Sequence, residues 1–304
     1  MPNISNSTNS NSNSSLPNRE GGGRVRNLIV RSLTGVIFLA VMIGCIITSS
    51  VTAAVLFGVI TLLTVWEFTG IMNTQEDVEM NRFLTTVAAF MLYCGFLGTA
   101  LYLPPGLAFL PWILSCLYLL VTELYMQRQR PILNWATMAL AQLYIAVPFG
   151  LLMFIHVTHD FILSEYLCDK GNFIVLAIFV FLWCSDTGAY CTGSLIGRHK
   201  LFPRISPAKT WEGSIGGGVL AVVASQVFAY YFPIISPIKW AFFALVIVIF
   251  GTWGDLIESL LKRQLGIKDS GHILPGHGGM LDRFDSSLVA IPAAYIYLLV
   301  ISSI

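Results

Sequence analysis

The chain has 304 residues, of which 56% are hydrophobic and 11% charged, with a net charge of +1. A soluble domain carries about a quarter charged residues, so lipid must replace water over much of this surface. The charge balance contains no basic stripe, so there is no sign of a nucleic-acid partner. The six scattered cysteines form no CxxC pair that would suggest zinc or dithiol chemistry.

Residues 1–26 form an Asn/Ser/Gly-rich tail that cannot bury enough apolar surface to fold, and it is expected to be disordered. It has no apolar run before Leu28, so it is not read as a signal peptide. A membrane-crossing helix needs about 20 mostly apolar residues. Nine such stretches follow, roughly 28–48, 51–72, 83–103, 106–126, 134–157, 172–195, 212–232, 238–257 and 280–303. The expected fold is therefore an all-α polytopic membrane bundle of about nine transmembrane helices. Its N-terminal helices occupy 27–170 and its polar, catalytic region 171–304. With the N-terminus cytoplasmic, all but Lys170 and Lys239 of the 17 Lys and Arg residues face the cytoplasm. The reverse orientation inverts that ratio.

Charges in or near a bilayer are costly, so each cluster carries a functional hypothesis. The first is Trp183–Tyr190, WCSDTGAY, which puts Asp186 deep in the sixth span. Asp-Thr-Gly also opens the active-site loop of aspartic proteases, but that needs a β-rich fold with two such loops. Asp186 either hydrogen-bonds neighbouring helices or walls a site.

The second cluster is Gly197–Gly218, GRHKLFPRISPAKTWEGSIGGG, a basic loop leading into the seventh span. Arg198, Lys200 and Arg204 suit phosphate or simply the positive-inside bias. Lys209 stands at a helix start, where backbone N–H groups also attract anions. Gly213 and Gly217 are spaced for helix packing rather than for a phosphate cradle.

The third cluster, Gly254–Ser287, is the richest. Asp255 and Glu258 are three apart and share a helix face, as do Asp282 and Asp285. Four carboxylates repel one another unless cations neutralise them, and oxygen-only groups suit Mg²⁺, which shares its ligands with phosphates. Lys262, Arg263, Lys268 and the His277-Gly278-Gly279 loop add anion-binding groups. His272 and His277 lack Cys or His partners at zinc spacing. Asp282 and Asp285 could instead favour a helix N-terminus, but that leaves Asp255 and Glu258 unexplained. Glu67, closing the second span, either joins this site or snorkels to the surface.

The run S-x-x-K-R-x4-K-D-x-G-x2-L-P-x-H-G-G-x-x-D-R-x-D from Ser259 to Asp285 resembles the signature of the phosphatidate cytidylyltransferase (CDP-diacylglycerol synthase) family. S-D-T-G-A-Y, G-R-H-K-L, I-S-P-A-K-T-W-E-G-S-I-G-G and N-L-I-V-R resemble it too, so the likeness runs from Asn27 onward. Two departures are modest. Ala208 stands where the family often has a second lysine, and Ser185 where it often has asparagine.

The resemblance implies a Mg²⁺-dependent transfer of the cytidylyl group from CTP to phosphatidate, with pyrophosphate leaving. It also implies a homodimer in the cell inner (plasma) membrane. Asp255 and Asp282 are the first-choice metal ligands, with Asp285 and Glu258 next; a second cation could clamp the attacking and leaving oxygens. Asp255, Asp282, Asp285 and Lys209 are the expected catalytic groups. Lys209, Lys262, Arg263, Lys268, Arg283, His277, Gly278 and Gly279 are expected to bind phosphates, and Asp186 to orient the nucleotide. A lipid kinase would instead release a nucleoside diphosphate. A transporter would show two matched halves, whereas here the polar residues crowd into the C-terminal half.

Overall fold

In lipid a backbone must satisfy its own polar groups, and each apolar stretch accordingly folds as a helix. The computed structural model describes residues 20–158, 171–271, 273 and 278–303, with side chains from residue 33 onward. Most of the Asn/Ser tail, Lys170, His272 and His277 lie outside the described residues. The helices are α1 (Glu20–Thr48), α2 (Ser50–Met72), α3 (Arg82–Ala100), the single turn α4 (Pro105–Ala108) and α5 (Leu110–Met126). They continue with α6 (Pro131–Ala141), α7 (Val147–Val157), α8 (Gly171–Ile196), α9 (Trp211–Tyr231), α10 (Pro237–Gln264) and α11 (Leu281–Ser302). A π-helical segment, Gln142–Ala146, joins α6 to α7 into one span.

Seven of these helices, counting α6–α7 as one, are long and apolar enough to cross a membrane; Leu33–Thr48 and Leu110–Met126 are shorter apolar helices. The chain is an integral membrane protein with an all-α bundle. Polar side chains start several helices by accepting the first free N–H groups: Asn81 from Leu84, Thr210 from Gly213 and Ser236 from Lys239.

Two departures from the hydropathy pattern matter for the site. α10 runs to Gln264, about two turns past the expected end near 257. Charge ends the apolar stretch there but not the helix. Glu258 and Lys262 form an i,i+4 pair, Lys262 and Arg263 suit the negative end of the helix dipole, and Gly266, at φ +68°, turns the chain away. The expected basic loop folds into a small antiparallel hairpin, β1 (Lys200–Phe202) and β2 (Ser206–Thr210), with Lys200 opposite Thr210.

The core is aromatic where α2, α7, α8 and α11 meet. Phe57 stacks on Phe179 with ring centres 5.8 Å apart, and Phe149 meets Phe284 edge-on at 5.3 Å. Phe284 is buried and anchors the first turn of α11 beside Asp285. Glycines bring α8 and α9 together: a Cβ on Gly188 would lie 2.9 Å from Gly217 Cα, and one on Gly217 would lie 2.5 Å from Ser185 O. The Gly213/Gly217 pair is thus spent on close helix packing.

Candidate active site

The carboxylates meet where α10 passes α11. Gly254 permits the contact, because a Cβ there would stand 2.5 Å from Asp285 O. One oxygen each of Asp255, Glu258 and Asp285 falls within a sphere of mutual distances no longer than 4.8 Å. Glu258 is completely buried. Lys262 Nζ stands 2.5 Å from Glu258 Oε2 as an ion pair. Beyond that ion pair, neither Glu258 oxygen has a hydrogen-bond partner among the described residues. Burying a carboxylate is costly even with one ammonium beside it. Three carboxylate oxygens so grouped, with one lysine between Glu258 and Asp282, suit a hard divalent cation, so the residues present fit Mg²⁺.

Asp282 stands beside this group and is held differently. It accepts from Lys262 Nζ at 3.0 Å, from Ser270 N at 3.0 Å and from Gly279 N at 2.9 Å. Lys262 therefore links Glu258 to Asp282. The Gly279 N–H, expected to face phosphate, is directed at Asp282. Gly278 has φ +82°, a conformation open mainly to glycine.

Lys209 reaches the group from the hairpin and forms an ion pair with Asp255. The hairpin is fixed to α9 by Glu212, which accepts from the backbone N–H groups of Arg198 and His199 and contacts His199 Nδ1 at 2.6 Å. Lys209, Thr210, Asp186 and Ser286 line a cavity of about 370 Å³ between α8, α9 and α10. The two family departures, Ser185 and Ala208, line it as well. A second cavity of about 410 Å³ lies between α1, α8, α10 and α11, bounded by Asp255, Asp282, Asp285 and Arg283. Asp186 and Ser286 border both cavities. Arg263 is exposed, its Nε donating to Ile205 O at 3.4 Å, and Lys268 is exposed on the following loop.

Two further residues belong to this region. Glu67, on α2, is buried; it accepts from Ser270 Oγ and, at 2.7 Å, from Met280 N. A Cβ on Gly279 would lie 1.7 Å from Glu67 Oε1, so glycine is required there. Of the two sequence readings of Glu67, the structure selects the one that joins the site. Tyr144 lies on the π-helical segment. Its buried hydroxyl has no hydrogen-bond partner among the described residues, and the charges that act on it are those of Asp285, Glu258 and Asp255. Its sequence neighbourhood is apolar and gives no signal, although π segments recur at functional sites.

Fold and site together define a membrane-embedded protein with a carboxylate and ammonium centre at the α10–α11 junction. The family model described as "Cytidylyltransferase family" matches residues 29–301. The chain belongs to the cytidylyltransferase family. It is 46% identical over 133 residues to a phosphatidate cytidylyltransferase of Staphylococcus haemolyticus, covering 43% of this chain and 51% of that protein. It is 44% identical over 147 residues to one of Bacillus subtilis, covering 47% and 54%. The chain thus spans about half the length of these two relatives. With one of Haemophilus influenzae it shares 30% identity over 286 residues, covering 88% and 96%.

Proposed function

We propose that the protein transfers the cytidylyl group of CTP to phosphatidate, giving CDP-diacylglycerol and pyrophosphate. The observation that carries this reading is the meeting of Lys209 with the carboxylate group of Asp255, Glu258 and Asp285, between two cavities that share Asp186. One substrate is a lipid and the other a soluble triphosphate, and a centre with two adjoining compartments suits that pair. The names of the relatives supply the substrate identities.

In this reading an oxygen of the phosphatidate phosphate attacks the α-phosphorus of CTP. The bond from that phosphorus to the bridging oxygen of pyrophosphate breaks in line with the attack. Catalysis is then mainly positioning and charge neutralisation. Lys209 holds a substrate phosphate. Lys262, Arg263, Lys268, Arg283 and the His277–Gly279 loop hold the triphosphate, and Asp186 orients the nucleotide. Asp255, Glu258, Asp282 and Asp285 would hold Mg²⁺, with the three grouped oxygens at its core. When bound, the ion and a second cation beside it neutralise charge on the phosphates. Glu67 fixes the loop that carries Gly278 and Gly279.

The same reading sets nine spans in the inner membrane, N-terminus and site on the cytoplasmic side, as the Lys/Arg distribution supports. It also includes a homodimer, which rests on the family resemblance. The test is incubation of purified protein with labelled CTP, phosphatidate and Mg²⁺. A lipid-soluble cytidine product formed one-for-one with pyrophosphate supports the reading. Release of CDP instead identifies a kinase.

A further inference from the structure

Two apolar grooves indent the outer surface of the bundle. One, of about 540 Å³, is lined by Leu143, Val246, Pro292 and Ile296 among others and shares no lining residue with either polar cavity. The other, of about 710 Å³, runs between α9 and α10. It shares Ser214, Val248 and Thr252 with the Lys209 cavity, so the two adjoin. The Lys209 cavity in turn shares Asp186 and Ser286 with the carboxylate cavity. Three compartments therefore lie in series: apolar, cationic, then acidic.

The shape of the α9–α10 groove fits a membrane lipid. Its α9 wall runs from Trp211 to Val223; twelve residue steps at 1.5 Å each rise about 18 Å, slightly more than one leaflet of a core about 30 Å thick. Along it Ile215, Val219, Val223 and Ile249 are all more than 45% exposed with no polar group between them. At the cavity end stand Trp211 and Trp253, the residue type that marks the level of the headgroups. A chain lying in this groove would bring a phosphate at its head to Lys209 and Thr210.

We infer that the groove between α9 and α10 seats an acyl chain of the lipid phosphate, and that the Lys209 cavity receives its phosphate, leaving the carboxylate cavity to the nucleotide. This rests on the function proposed above and adds which compartment takes which substrate. Apolar surface lining a concave path into a site is the usual form of a lipid subsite.

The test compares long-chain and short-chain substrates, dioleoyl and dihexanoyl phosphatidate, in detergent. Val223→Trp fills the groove far from the polar groups. It should lower kcat/KM for the dioleoyl substrate about tenfold and for the dihexanoyl substrate less than about twofold, with the KM for CTP unchanged. Ile296→Trp makes a similar change in the disconnected groove and should not separate the two substrates. An equal loss on both chain lengths in Val223→Trp, or no loss on either, overturns the inference. A second measurement needs no variant: phosphatidate with a diazirine on its acyl chain, photolysed on the unaltered protein, should label α9 and α10. Label confined to other helices, including the case where a second copy of the chain covers this face, overturns it. If the unaltered protein makes no lipid-linked cytidine from either substrate, the proposed function itself fails. Product formed without chain-length discrimination sinks only the compartment assignment.

Discussion

The carboxylate of Glu67 accepts the backbone N–H of Met280 at 2.7 Å across 213 residues of sequence. The same carboxylate holds Ser270 Oγ. One side chain on α2 thus closes both ends of the loop between α10 and α11, the loop that presents Gly278 and Gly279 to Asp282. Replacing Glu67 with alanine leaves a buried N–H and a hydroxyl without their acceptor, at about 1–3 kcal/mol for each group so orphaned. Glu67→Ala should lower the thermal midpoint in detergent and speed proteolytic nicking between 265 and 280. Wild-type nicking rates would refute the clamp.

Gly279 tests the same contact from the other side. A methyl group there meets Glu67 Oε1 at 1.7 Å, and overpacking of that kind costs about 1–3 kcal/mol. Gly279→Ala should reduce turnover at least as much as Glu67→Ala. The double variant should be less impaired than the sum of the two, since removal of the Glu67 carboxylate makes room for the methyl. A double-mutant cycle that is strictly additive would count against direct contact.

Asp282→Asn and Asp285→Asn keep shape and remove charge. Each should cut CTP-dependent turnover by about 100-fold or more, while the protein still inserts and elutes as the wild type does from size-exclusion chromatography. Chelation with EDTA should abolish activity in the wild type, and excess Mg²⁺ should restore it. Glu258→Gln should raise the Mg²⁺ concentration needed for half-maximal rate. Near-normal activity of Asp282→Asn in Mg²⁺ would remove it from the site.

Lys209 joins the hairpin to Asp255 and lines the cavity assigned to the lipid phosphate. Lys209→Met should lower kcat/KM by about 100-fold, mostly through phosphatidate. Lys209→Arg keeps the charge but spreads it over a planar fork, and should recover only part of the rate. A selective rise in the KM for CTP would place Lys209 with the nucleotide instead.

Tyr144 offers a prediction of opposite signs. Its hydroxyl is buried without a hydrogen-bond partner among the described residues, so Tyr144→Phe should stabilise the ligand-free protein by roughly 1 kcal/mol. The hydroxyl lies within the field of Asp255, Glu258 and Asp285, so the same change should slow turnover. A rise in thermal midpoint with unchanged rate would make Tyr144 a packing residue only.

Much of this architecture is legible in the sequence because lipid imposes a simple rule on backbone and charge. Seven of the nine apolar stretches fall on helices long and apolar enough to cross a membrane, and the other two, 28–48 and 106–126, on shorter apolar helices; the cost of burying charge singles out Asp186, Lys209 and the α10–α11 carboxylates. Hydropathy fails where helix and membrane part company. The last turns of α10 are polar, yet their i,i+4 pair and dipole keep them helical. The hairpin at Lys200–Thr210 is too short and too basic to show a strand pattern. Tyr144, and the choice between the two readings of Glu67, were out of reach for another reason. Their importance depends on neighbours that arrive from more than a hundred residues away, and no local pattern encodes such a meeting.

The Glu67 clamp also bears on how this protein can be taken apart. Residues 171–303 carry all four carboxylates of the α10–α11 centre, together with Lys209 and Lys262. Grafted onto another bundle, that half would keep its charges and lose the acceptor that closes its loop. The smallest transplantable unit therefore includes α2, and a chimera between relatives should inherit Glu67 together with Ser270 and Gly279, as one lock and its key.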